Sequence, residues 1–299
     1  MYHHSRRRTI YYLPPPRAKM KKIPLSKAIE GFLIACQARQ LSPHTIDDYT
    51  RTAKMFLNHV GDTSISEITS VQVSAFLASR STKVGKKTIL NYHIGLSALW
   101  TWAIREGFTE RHIIHNVEKP KPKKIVIQPF TEVEIRALLS AILYDPDRNR
   151  AIILLLIDTG ARASEICSLK KSDIDLVSKH IKVLGKGDKE RRIPFSSRTS
   201  SAIFQHLATN DGDPFKMSRT GLAQYLRRLG KRAGIEDTHP HRFRHTFAIT
   251  YLRNGGDPYT LQEILGHSTM EMVKAYMAIA QIDIDSAHKR ASPVEIWKL

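Results

Sequence analysis

The stretch His239-Pro240-His241-Arg242-Phe243-Arg244-His245-Thr246-Phe247 is dense in imidazole and guanidinium groups. At helical spacing His241, Arg244 and His245 stand at i, i+3 and i+4 and share one face. That face suits an oxyanion: a guanidinium offers a two-pronged fork, and an imidazole can donate or move a proton. A lone histidine there would read as structural. Three histidines so close together favour a site.

Three other islands have unusual composition. Asp158-Thr-Gly-Ala-Arg162-Ala-Ser-Glu165 follows an apolar helical run and sets Arg162 three residues before Glu165. Alone it also reads as a helix end with a surface i,i+3 pair. Gly185-Lys186-Gly187-Asp188-Lys189 joins two alternating segments, 179–184 and 190–195, which read as antiparallel strands. Lys186, between two glycines, projects from a tight turn; it either reaches into a groove or keeps an edge solvated. Leu265-Gly266-His267-Ser268 precedes Tyr276, which lies nine residues beyond His267.

Together these groups describe phosphodiester chemistry. Arginines can neutralise the phosphate and its transition state, and histidines can bond the same oxygens or accept the nucleophile's proton. A lysine can protonate the leaving alkoxide, and a tyrosine can attack phosphorus and hold the strand covalently. Guanidinium charge serves where a metal would otherwise be needed, so neither metal nor cofactor is expected. No phosphate-binding loop for nucleotides is present, and the histidines and cysteines lack a zinc pattern.

The chain has 299 residues, with 47 Lys plus Arg against 28 Asp plus Glu, a formal net charge of +19. Such a surplus calls for an anionic partner. No basic amphipathic anchor stands out and the longest apolar run is only 151–157, so nucleic acid is expected rather than membrane. Cys36 and Cys167 sit among apolar residues, which suits a reducing cytoplasm.

The pattern predicts a mainly α chain with one small antiparallel sheet, in two domains. Residues 1–22 read as a flexible basic arm, which either grips phosphates or has no role. Residues 23–115 form four or five short helices, the first capped by Ser26 and the second opened by Ser42-Pro43. Residues 116–128 are a basic, proline-containing linker. Residues 129–281 form a second domain whose first helix starts at Thr131-Glu132-Val133-Glu134. Residues 282–299 are an apolar tail that docks in cis or in trans.

The set Arg…Lys…His-x-x-Arg…Gly-His…Tyr, in this order and with this last spacing, resembles the tyrosine recombinases: integrases of phages and mobile elements and the Xer resolvases. The resemblance covers about residues 24–290. It implies catalytic roles for Arg162, Lys186, His241, Arg244, His267 and the nucleophile Tyr276. Lys186 matches the general acid, His241 a candidate general base, and Glu165 and His245 supporting positions. Lys189 is a rival for Lys186, whereas Tyr251 and Tyr259 lack the family spacing. Ala161 and Phe243 depart from the commoner residues, both at packing positions.

The resemblance also implies a core-binding, SAM-like first domain that closes with the catalytic domain as a clamp on DNA. Candidate DNA contacts are Arg51, Lys54, Lys86, Lys87, Lys121, Lys123, Arg219, Arg227 and Arg228. It implies a core site with inverted repeats, a homotetramer on DNA from protomers that are monomeric when free, accessory proteins in some cases, and association with the nucleoid. A type IB topoisomerase-like enzyme and a non-catalytic DNA-binding protein are the alternatives.

Overall fold

A computed structural model describes residues 22–121, 127–185, 190–210, 212–280, 288 and 291–299. They fall into two compact units divided between residues 125 and 126. Residues 1–21 of the expected arm, Lys123 of the linker, the turn residues Lys186 and Lys189, and residues 281–287 of the tail region lie outside the described residues. Lys22, the last residue of the expected arm, forms an ion pair with Glu67 at 2.8 Å.

The first unit holds α1 (Leu25–Ala38), α2 (Pro43–Val60), α3 (Ser70–Ser81), α4 (Lys86–Arg105) and a single 3-10 turn at Ile113–Asn116. Ser42 caps α2 by accepting from the Thr45 amide, with Pro43 in the first turn. Thr69 and Gln72 form a reciprocal capping box at α3. Ser26 does not cap α1. It lies inside the first turn, and its amide and hydroxyl both donate to Asp62, because Pro24 already marks the helix start. The core is aromatic: Phe56 meets Phe76 at 5.3 Å and Trp100 at 5.9 Å, both edge to face, an arrangement the ring quadrupole favours. Val117, just past the 3-10 turn, is buried, and its carbonyl pairs with His93.

The second unit begins with α5 (Glu132–Ser140), capped by the Thr131–Glu134 box, and α6 (Pro146–Thr159). Ile152, Ile153, Leu155 and Leu156 of α6 are all buried. A helix apolar on every side belongs in the centre, and α6 packs against α8 (Ser197–Ala208) and α10 (Pro240–Arg253). After α7 (Ala163–Cys167) and a short 3-10 turn come β1 (Ile174–Asp175), β2 (His180–Leu184) and β3 (Glu190–Pro194). They form one antiparallel sheet in the order β1-β2-β3. Register pairs Ile181 with Ile193 and Val183 with Arg191. β1, two residues long, carries no alternation that a sequence could reveal.

The unit closes with α9 (Arg219–Ala233), α10, α11 (Pro258–Leu265), α12 (Glu271–Ala280) and the short α13 (Pro293–Trp297). Among the described residues no helix is long and apolar enough to cross a membrane, and no cluster of three metal-ligating side chains occurs.

Candidate active site

Three helix ends converge on one point in the second unit. Gly160 caps α6 in the left-handed region, with φ of +60°. The chain then turns, buries Ala161 and presents Arg162 as the residue before α7. One turn on, the Glu165 carboxylate accepts from the Arg162 amide at 2.7 Å and from Arg162 Nη1 at 2.9 Å. Glu165 is only 5% exposed. Burial pushes its carboxyl up, but hydrogen bonds and charge from Arg191 and Arg162 outweigh that and hold it below the usual carboxylate range.

On α10, His239 caps the helix and Pro240 occupies its first turn. Arg244, one of the most buried charged residues, donates Nη1 to the Gly160 carbonyl at 2.8 Å and Nη2 to the Leu265 carbonyl at 2.7 Å. Its Nη2 also lies 2.8 Å from Nε2 of His267. A guanidinium can only donate, so Nε2 of His267 accepts and its proton sits on Nδ1. That Nδ1 is buried and has no partner among the described residues. Desolvation first, then repulsion by Arg162, lowers Arg244 to about 10, which leaves it charged at neutral pH.

His267 follows Gly266, which caps α11 with φ of +64°. Desolvation and the neighbouring arginines, Arg244 foremost, bring His267 down to about 4. Tyr276 on α12 is 1% exposed, and its hydroxyl lies 2.8 Å from Nδ1 of His245. His245 is also brought to about 4, by desolvation and then by His241, so it is neutral and able to accept the phenolic proton. Burial raises the phenol's own pKa against the pull of Arg244 and Arg162.

Hydrogen bonds thus link Arg162, Glu165 and Arg191 in one group, and Arg244 with His267 and His245 with Tyr276 in two pairs. Arg162 and Arg244 meet at adjacent carbonyls, Gly266 and Leu265. His241 is exposed on the same face of α10, its ring 6.3 Å from that of His245; desolvation and Arg244 lower its pKa. Lys186 lies outside the described residues, on the segment between β2 and β3.

Arg191 is the residue that sequence reasoning missed. Strand parity was the available signal: Arg191 shares the face of buried Ile193 on β3, and a charged side chain on an inward face needs a partner. Arg51, Lys54, Lys86, Lys87 and Lys121 are exposed in the first unit, and Arg219, Arg227 and Arg228 are exposed along α9.

Two family models match the chain. The phage integrase family matches residues 128–281, and the phage integrase N-terminal SAM-like domain matches residues 29–107. The chain belongs to the phage integrase family. Among its relatives, the tyrosine recombinase XerA of Thermococcus onnurineus is 31% identical over 91% of this chain and 97% of that protein. The tyrosine recombinase XerC of Actinobacillus pleuropneumoniae is 28% identical over 85% of this chain and 90% of its own. This phage integrase family member is accordingly a tyrosine recombinase. The fold is shared with a lambda integrase dimer bound to a COC' core site, with a TM-score of 0.73 at 19% identity over 86% of this chain and 77% of that one.

Proposed function

We propose that the chain is a site-specific DNA recombinase working through a covalent phosphotyrosine. The observation that carries this reading is the buried Tyr276 hydroxyl held by a neutral imidazole, on the same unit as two arginines that meet at neighbouring carbonyls. Tyr276 Oη attacks the scissile phosphorus, a 3′-phosphotyrosyl bond forms, and the bond to the 5′ oxygen breaks. Lys186 protonates that oxygen as it leaves. Arg162 and Arg244 stabilise the charge that builds on the non-bridging oxygens. His267, 2.8 Å from Arg244 through Nε2, is a further candidate for contact with the same phosphate. The phenolic proton passes to an imidazole: His245 is in contact with it, and His241 is the exposed second candidate. The 5′-hydroxyl of a partner strand then reverses the reaction, so the ester bond energy is conserved and no ATP is needed.

The net charge of +19 and the exposed lysines and arginines of both units support duplex DNA as substrate. A tetramer exchanging strands through a Holliday junction fits the fold, since a structural neighbour is a lambda integrase tetramer bound to such a junction. The apolar C-terminal helix is read as a contact between protomers. A nucleoid location in the cytoplasm, and a task in either mobile-element integration and excision or Xer-type resolution, go with this reading.

Covalent trapping tests it. Wild-type protein and Tyr276→Phe are incubated in EDTA with sheared genomic DNA of the source organism, and denaturant-stable adducts are sequenced. An adduct lost in the variant and enriched for one inverted-repeat site is the expected result. Adducts at all sequences would indicate topoisomerase-like chemistry. Wild-type protein that binds DNA and forms no adduct, even on nicked duplex, would overturn the reading.

A further inference from the structure

The end of α11 presents three successive backbone carbonyls, Ile264, Leu265 and Gly266, and each accepts from a different arginine. Arg191 Nε donates to Ile264 at 2.9 Å, Arg244 Nη2 to Leu265 at 2.7 Å, and Arg162 Nη2 to Gly266 at 3.2 Å. The last carbonyls of a helix lack intrahelical partners and carry the negative end of its dipole, so they suit cations. The arginines come from three separate elements: β3, α10 and the turn between α6 and α7.

Arg191 has a second grip. Its Nη1 and Nη2 bind the two oxygens of Glu165, at 2.9 and 3.0 Å. Glu165 in turn holds Arg162. Arg191 is thus joined to both supports of Arg162, the carboxylate and the α11 end. Its side chain is 13% exposed and its Nε and both Nη atoms are engaged, which turns it away from substrate. The local backbone makes room for it: a Cβ at Gly266 would lie 3.0 Å from Cζ of Arg191.

We propose that Arg191 is a positioning residue of the recombinase, setting Arg162 through Glu165 and fixing the end of α11 on which Arg162 and Arg244 both rest. This rests on the reading of the site as a phosphodiester-transfer centre. A lysine could not replace it, because an ammonium lacks the planar fork that meets a carboxylate and a carbonyl together.

The test uses the duplex recovered by covalent trapping, nicked beside the cleaved phosphate, with wild type, Arg191→Met, Arg191→Lys, Glu165→Gln and the double variant Glu165→Gln/Arg191→Met. Affinity for the duplex should stay at the wild-type level. Single-turnover cleavage at saturating protein should fall about 100-fold in Arg191→Met, the size of effect that follows from misplacing a reacting group by an ångström. Arg191→Lys should be slowed as well. The double variant should be no slower than the worse single one, because both changes cut the same linkage.

A pH profile adds a readout that simple loss of stability would not move. The cations facing Glu165 are Arg162, Arg191 and, farther off, Arg244. Without Arg191, burial should raise the carboxyl, and the rate should acquire a fall toward acid that is absent in the double variant. Folded Arg191→Met or Arg191→Lys cleaving at the wild-type rate would overturn the proposal, as would independent, multiplying losses. Should Arg191→Met not fold, Arg191→Lys decides. Failure of wild type to yield any trapped duplex in the first place would instead sink the reading of the site itself.

Discussion

The hydroxyl of Tyr276 is held by Nδ1 of His245 at 2.8 Å, while the His241 ring lies one turn away on the exposed surface. The contact has a pH signature. His245 and His267 are each held at about 4, below the ordinary 6.5, mainly by desolvation. Between those values the unfolded chain binds more protons than the folded one, so stability rises with pH across the window. Melting temperature should therefore fall as pH drops from about 6.5 toward about 4. In His245→Gln/His267→Gln the dependence should flatten, and equal slopes in the two proteins would refute this account.

The same contact bears on chemistry. Removing an acid–base group costs about 10²–10⁴-fold in rate. His245→Ala should lose cleavage on that scale if its ring takes the phenolic proton, with DNA affinity retained. His241→Ala provides the comparison. Single-turnover cleavage of a nicked duplex measures both, and a wild-type rate in His245→Ala would assign the contact a packing role.

Gly160 ties backbone geometry to the site. Its carbonyl accepts from Arg244, and its φ of +60° is one that L side chains rarely adopt. A Cβ there would stand 2.5 Å from Cδ1 of Phe247 and 2.9 Å from Cδ2 of Leu265. Gly160→Ala should cost about 2–5 kcal/mol, the sum of left-handed strain and overpacking. Denaturant titration measures the loss, and cleavage should fall with it because Arg244 is displaced. A stability change within about 0.5 kcal/mol, usual for neutral surface changes, would show that the turn relaxes freely.

Parts of this molecule were legible from residue types and spacing. Ser42-Pro43 and Thr131–Glu134 mark helix starts because capping is local chemistry, and their side chains make the expected bonds. The α6 run is apolar on all sides, which is enough to make it central. Long-range pairing was not legible in this way. Arg162 and Glu165 are compatible with a surface pair until burial is known. Arg191 sits beside Glu190 and Arg192 and reads as one of a charged run; parity with Ile193 puts it on the inward face, but its partners, Glu165 and the end of α11, come from distant parts of the chain. Spacing put His241 and His245 on one face, but which ring meets Tyr276 depends on how α10 packs against α12.

The candidate DNA contacts can be separated by salt dependence. Lys86 and Lys87 open α4, and Arg227 and Arg228 lie on α9, all exposed. A lysine or arginine that neutralises one phosphate contributes about one unit to the slope of log affinity against log salt. Lys87→Ala and Arg227→Ala should each lower the slope by about that amount. Filter binding to random duplex over a range of salt concentrations measures it, and an unchanged slope would remove that residue from the interface.

The C-terminal helix gives the last expectation. Val294, Ile296, Trp297 and Leu299 are 56–83% exposed. At about 25 cal/mol per Å² of apolar surface, covering four such side chains is worth several kcal/mol. Their exposure within the protomer means that truncation after Ala291 should leave the melting temperature almost unchanged. The same truncation should abolish strand exchange between two sites and the proposed four-protomer complex on DNA, with sedimentation as the measurement of the latter, while cleavage of a nicked duplex persists. A large drop in melting temperature would show that the helix is held by its own protomer, and strand exchange at the wild-type level would show that it couples nothing.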